Sequence, residues 1–172
     1  MFFTKWMNNG WVRGVGLVRQ RGRASGVKVS MKGDYGVRAL IDLGLHYGEG
    51  TIQSAEIAQR QFIPEPYLDQ LLTTLRKAGF VRSRRGPQGG HVLARDPREI
   101  PLSEVIGALE GSVAAIGCLD GSLVCALSGS CSQQEMWDLI TKSARTVLES
   151  TTIGDLIERQ RAIQQTRTMY YI

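Results

Sequence analysis

No stretch of this 172-residue sequence approaches the roughly 20 consecutive apolar residues a helix needs to cross a bilayer. Its opening, MFFTKWMNNGWVRGVGLVRQ, has no continuous apolar core and no small-residue cleavage pattern, which argues against a secretory signal. Histidine is scarce: His46 and His91 are the two. They form no His–acid constellation around a nucleophile, and neither a P-loop nor a dinucleotide fingerprint is present, so an enzyme is not expected. Cysteine is scarce too, and odd in number. Cys118, Cys125 and Cys131 all fall in CLDGSLVCALSGSCSQQEMW, in a glycine-rich setting. Without an export signal, and with an unpaired thiol, the expected compartment is the reducing cytosol, where a structural disulfide is disfavoured.

Acidic residues are absent from positions 1–26, which carry Lys5, Arg13, Arg19, Arg21 and Arg23. That segment alone accounts for the formal charge of +5; the remaining residues carry 16 basic and 16 acidic side chains. Overall charge therefore says nothing about a partner, and only local clusters can. Five glycines and no apolar periodicity leave residues 1–26 without a helix or strand signal. A basic tail and an organellar targeting peptide are two readings. The preferred one is a disordered or non-native extension, with Val27 as a candidate start.

What is present from Val27 onward is helical spacing. In DYGVRALIDLGLHYG, Tyr35, Val37, Leu40, Ile41, Leu43 and Leu45 predict a helix over about 34–48, stopped by Gly48 and Gly50. SAEIAQRQ predicts a short second helix capped by Ser54 and burying Ile57 and Ala58. After Pro64 a third helix starts near Pro66, with Tyr67, Leu68, Leu71, Leu72 and Leu75 as its apolar stripe and Gly79 as its end. Two short helices joined by a tight turn make a helix-turn-helix, or equally an ordinary helical hairpin. FVRSRRGPQGGHVLA then reads as strand, turn and strand, a wing directly after the would-be recognition helix. Arg76, Lys77, Arg82, Arg84, Arg85, Arg95 and Arg98 cluster here against only Asp96 and Glu99 as local acids. Guanidinium groups around a glycine-rich tip suit phosphate and minor-groove contact.

PLSEVIGALEG predicts a helix over about 101–110, ended by Gly111. Beyond the cysteines, Met136, Leu139, Ile140, Ala144, Val147 and Leu148 recur at helical spacing over about four turns. So small a domain leaves that face without a large partner, so a dimerisation helix is expected, packing inside one protomer being the alternative. Thr152 and Asp155 form a capping box opening a last short helix.

Thiolates favour zinc, copper(I) or iron–sulfur clusters. The intervals of six and five residues between the cysteines are looser than the pairs of a structural zinc site, and suit a larger object such as a cluster. Spacing alone leaves incidental thiols, zinc and a reversible disulfide open.

KGDYGVRALIDL, PEPYLDQLLTTLRKAGFVRSRRGPQGGHVLARDP, VIGALEG and the late C…CSQQEMW together resemble one family, the bacterial winged-helix regulators that include IscR and NsrR. The resemblance covers about residues 27–160. It implies a mainly α fold with a small β-hairpin: a winged helix-turn-helix domain over 27–111, a cysteine-containing loop over 112–131, a dimerisation helix and short terminal helix over 132–160, and a tail to 172. It further implies a homodimeric transcription regulator that binds double-stranded DNA at a palindromic operator. An iron–sulfur cluster, of two-iron or four-iron type, would sense cluster supply, redox state or nitric oxide.

Carried over residue by residue, Pro66, Tyr67, Asp69 and Gln70 would face base edges. Gln70 could pair with adenine and Asp69 could accept from cytosine. Arg84 and Arg85, with Gly86, Gln88 and Gly89 at the tip, would meet the backbone and minor groove, and Lys32 a phosphate. Cys118, Cys125 and Cys131 would hold the cluster. IscR-like members place a histidine three residues after the last cysteine, where this chain has Gln134. NsrR-like members resemble it at Asp34, an acid near the start of the first helix that ligates the partner subunit's cluster. Asp34 is the favoured fourth ligand, with Gln134, Glu135 and water as alternatives; a helix-capping role explains an acid at that place equally simply.

Overall fold

The computed structural model describes residues 30–86, 89–112, 114, 117–119, 121, 127 and 130–169. The expected disorder of residues 1–26 lies outside them, as do Gln88 and Cys125. The chain forms six α-helices and one hairpin among the described residues: α1 (Met31–Leu45), α2 (Ser54–Gln61), α3 (Glu65–Lys77), β1 (Val81–Arg84), β2 (Gly90–Leu93), a 3-10 turn (Pro97–Glu99), α4 (Leu102–Glu110), α5 (Gln134–Glu149) and α6 (Ile153–Met169).

α1 is the central element, packed by α2, α3, α4, α6 and β2. It begins at Met31, earlier than the apolar spacing predicts. The cause is polar: Ser30 Oγ accepts from the backbone N–H of Lys32 at 3.1 Å and of Gly33 at 3.4 Å. A second acceptor arrives from the end of α4, where Glu110 Oε1 takes the Gly33 N–H at 2.8 Å and the Ser30 hydroxyl. Two side chains thus satisfy donors that a helix start leaves orphaned. The body of α1 lies so close to its neighbours that a Cβ on Gly36 would overlap Leu109, and one on Gly44 would overlap Ile157. These glycines cost helix propensity, about 0.5–1 kcal/mol each against alanine, and return it as close packing.

α2 buries Ile57 and Ala58 as expected. Its N-cap is Gln53, with no side-chain bond, and Ser54, expected in that role, is the first helical residue. Pro66 sits in the first turn of α3, where its missing N–H costs nothing. The stripe of Leu68, Leu71, Leu72 and Leu75 is fully buried. Gly79, at φ +83°, ends the helix and delivers Phe80 and Val81 to the core.

β1 and β2 pair antiparallel, Val81 opposite Leu93 and Arg84 opposite Gly90. Ile52 extends this sheet by exchanging backbone bonds with His91 at 3.0 and 2.7 Å, so the segment before α2 braces the wing. α4 ends at Gly111 as predicted. The Thr152–Asp155 capping box is present in both directions: Thr152 N–H donates to Asp155 Oδ2 at 2.8 Å and Asp155 N–H to Thr152 Oγ1 at 3.1 Å. α6 is longer than the short helix expected, running to Met169, with residues 161–166 exposed. Only its inner face, Ile153, Gly154 and Ile157, is buried, against α1 and the 3-10 turn. Among the described residues no helix is long and apolar enough to cross a membrane.

Candidate nucleic-acid interface and cysteine loop

The helix pair α2–α3 is held to α1 by a buried ion pair that sequence reading missed. Asp42, on an otherwise apolar side of α1, has a side chain only 2% exposed. Arg60, in the last turn of α2, donates from Nε to Oδ1 at 3.0 Å and from Nη2 to Oδ2 at 2.7 Å, and Gln61 Nε2 adds a bond of 3.0 Å to Oδ1. The bond to Asp42 raises the Arg60 pKa despite partial burial, with Glu56 adding its charge. A bidentate guanidinium–carboxylate pair fixes direction as well as distance, so it sets how α2 leaves α1. Arg38 Nη1 adds a bond of 3.1 Å to the Gln61 carbonyl.

On α3, Pro66, Asp69 and Gln70 are exposed. Tyr67 is half-buried, its ring edge-on to Tyr35 of α1 at 6.0 Å between centroids. That contact anchors α3 to α1 and leaves Tyr67 less free than its three neighbours. Next to α3 on the wing, His91 Nδ1 lies 2.9 Å from Ser83 Oγ. Burial lowers the His91 pKa from its ordinary 6.5; the Asp69 charge opposes that shift and Arg76 reinforces it. The recognition-helix surface and the second wing strand therefore share one electrostatic environment.

The basic cluster divides in two. Arg95 pairs with Glu104 and lies over the Phe80 ring at 5.5 Å, and Arg98 lies 3.6 Å from Glu158. These two arginines, counted with the wing cluster from sequence, are engaged by acids from α4 and α6. Arg82, Arg84 and Arg85 are exposed, with no acid within ion-pair distance among the described residues. Gly86, at φ +119°, and Gly89, whose N–H donates to the Gly86 carbonyl at 2.8 Å, make a tip so tight that a Cβ at Gly89 would strike backbone. Guanidinium groups at the base of so narrow a tip are free to meet phosphate. Lys32 is half-buried in the first turn of α1.

Cys118 and Cys131 are free thiols, both half-buried. Cys131 lies three residues before the start of α5 and opens, with Leu119, Gln134, Glu135 and Asp138, on a cleft of about 490 Å³. The Cys131 thiol is a soft donor, the type that favours zinc, copper(I) or an iron–sulfur cluster. Among the described residues no three His, Cys, Asp or Glu side chains converge as a metal site. Asp34 is in the first turn of α1, 3.3 Å from Arg38 in an i, i+4 ion pair, and Gln134 is the exposed first residue of α5. Met136, Leu139 and Val147 project from α5 into solvent.

Residues 29–159 match the Rrf2 family, described as an iron-dependent transcriptional regulator. The chain is 36% identical over 137 residues to the HTH-type transcriptional regulator IscR of Xenorhabdus nematophila, covering 80% of this chain and 83% of that one. It is also 36% identical over 146 residues to the HTH-type transcriptional regulator CymR of Bacillus subtilis, covering 85% of this chain and 100% of that one. The solved structure of CymR, the global cysteine regulator of B. subtilis, superposes with a TM-score of 0.68, covering 77% of this chain and 97% of that one. The structure of T. potens IscR, 42% identical, gives 0.68 over 81% and 92%.

Proposed function

This chain belongs to the Rrf2 family of DNA-binding transcriptional regulators, and from that membership we propose that it is a homodimer reading a palindromic operator and sensing iron–sulfur, redox or nitric oxide status. As a transcriptional regulator it is not an enzyme, and its place of action is the cytosol. The observation that carries the DNA-reading part is the exposed hairpin beside α3, where Arg82, Arg84 and Arg85 have no acidic partner among the described residues. Pro66, Asp69 and Gln70 enter the major groove at the N-terminus of α3, with Tyr67 holding the helix to α1. Arg84, Arg85, Gly86, Gln88 and Gly89 lie on the backbone and minor groove, and Lys32 on a phosphate.

The dimer forms through α5. Met136, Leu139 and Val147 are large apolar side chains left in water on one long helix, and a two-fold axis lets each protomer cover the other's stripe.

The sensing group is an iron–sulfur cluster held by Cys118, Cys125 and Cys131, with Asp34 of the partner subunit as fourth ligand. When bound, such a cluster supplies a centre that reacts with oxidants and nitric oxide. The chain's own residues connect that loop to the reading head. The loop departs from α4 at Gly111, and the preceding residue, Glu110, grips Ser30 and Gly33 at the start of α1. A change in the loop's order therefore bears directly on α1, to which α2 and α3 are fixed. A thiol–disulfide switch without a cluster is the second reading. It is supported by the likeness to a cysteine regulator, CymR of B. subtilis.

Anaerobic purification followed by iron, sulfide and zinc analysis separates these readings. Stoichiometric iron and sulfide that are lost on replacing Cys118 by serine support the cluster. A metal-free protein that binds DNA differently before and after oxidation supports the thiol switch.

A further inference from the structure

Phe62 is the one non-glycine residue with positive φ among the described residues, at φ 53° and ψ 44°. It closes α2, and the carbonyl of Ala58 accepts from its N–H. A left-handed residue at that place is an ordinary way to end a helix, and glycine or asparagine fills it with the least strain. The turn itself therefore gives no reason for phenylalanine. The core gives none either, because the side chain is 87% exposed, the most exposed large hydrophobic residue among those described. A bulky aromatic ring held in a strained backbone and in water points to a contact outside the protomer.

The surroundings indicate what that contact is. Ile63 turns into the core, and three residues beyond Phe62 the recognition helix α3 begins at Glu65. The ring thus stands in the turn of the helix-turn-helix, just before the helix that carries Pro66, Asp69 and Gln70. Its exposed sequence neighbours are Gln59, Arg60, Pro64 and Glu65, a largely polar stretch unlike the apolar centre of a protein interface. The other exposed apolar side chains with an evident common face, Met136, Leu139 and Val147, are on α5. Asp69 and Gln70 offer hydrogen-bonding groups to base edges, but neither reads the one apolar feature of the major groove, the C5-methyl group of thymine. An aromatic side chain does.

We propose that Phe62 is a specificity-determining residue that packs on a thymine methyl group in each half-site of the operator. This rests on the DNA-reading role of α3. The strain at Phe62 is tolerated because the bound duplex, and not the protein core, receives the ring.

The test uses the full chain. Wild-type protein first selects its preferred sequence from randomised duplexes; the selected duplex is then remade with each thymine in turn replaced by uracil, which removes only the methyl group. At one thymine per half-site the wild type should lose affinity by about fourfold, the worth of one buried carbon group. F62G should bind the thymine duplex more weakly and be indifferent to uracil at that position, while its sensitivity at other positions is unchanged. F62G and F62N should melt no lower than the wild type, since both accept the left-handed turn. Identical uracil profiles for wild type and F62G would overturn the assignment and leave Phe62 to a protein contact. If the wild type selects no sequence at all, the DNA-reading role fails before any variant is made, and this assignment with it.

Discussion

Replacing Arg60 by alanine should destabilise the protein more than replacing its partner Asp42, although each removes the same ion pair. The asymmetry comes from burial. The Asp42 side chain is 2% exposed and that of Arg60 is 38% exposed. In R60A the carboxylate loses its contacts at 3.0, 3.3 and 2.7 Å and keeps one bond, from Gln61 at 3.0 Å. An unpaired buried charge costs about 3–5 kcal/mol, and the surviving bond places R60A near the lower end, about 3 kcal/mol. In D42A the guanidinium is left instead, and it has water and Glu56 at 3.5 Å to turn to. The loss there is that of a hydrogen bond to a charged group plus a small cavity, about 1.5–2 kcal/mol. The double variant should lie near D42A, because the stranded carboxylate is gone. Urea denaturation followed by circular dichroism, at one protein concentration and neutral pH, measures all three. D42A equal to or less stable than R60A would refute the reasoning, since the buried partner would then not be the one that needs the pair.

The wing predicts that R85A binds duplex DNA more weakly for every sequence and with a salt slope reduced by about one unit, read by gel-shift titration at several salt concentrations. His91 predicts a pH effect on stability. Its folded pKa lies below 6.5, so the unfolded chain takes up the proton first; the stability His91 contributes is present above about pH 6.5 and is lost as pH falls through the folded value. H91Q should therefore flatten the fall in melting temperature between neutral and mildly acidic pH, and an unchanged profile would count against that burial. On α5, L139E should weaken self-association by roughly two orders of magnitude, because two-fold symmetry would bury two carboxylates at once. Analytical ultracentrifugation reads this, and an unaltered dimer would remove Leu139 from the interface.

Where structure follows from local chemistry, it was legible in the sequence. The leucine stripe of α3, Pro66 in its first turn, Gly79 and Gly111 as stops, the Thr152–Asp155 box and the glycine tip of the wing all depend on residues a few positions apart. What escaped depends on distance along the chain. Arg95 and Arg98 look free beside Asp96 and Glu99, yet Glu104 and Glu158 take them. Ile52 joins the sheet through His91, a pairing no local pattern announces. α1 starts at Met31 because Glu110, 77 residues from Gly33, shares its capping with Ser30. Asp42 is a polar residue in an apolar face, and its partner Arg60 lies 18 residues further on. α6 runs on past its buried turn, where Ala162 and Ile163 stand among polar residues and form no stripe to count. Of the candidate site, Pro66, Asp69, Gln70, Arg84 and Arg85 were named from the sequence and are exposed, whereas Phe62 needed a backbone angle to be noticed.

In the proposed function, α3 and the arginine wing together grip duplex DNA. Titration of the wild-type chain against its selected duplex at a series of salt concentrations tests it most directly. Such a grip gives selective binding whose logarithmic affinity falls linearly with the logarithm of salt concentration, with a steep negative slope. Binding with no salt dependence, or no preference for the selected duplex over a scrambled one, would contradict it.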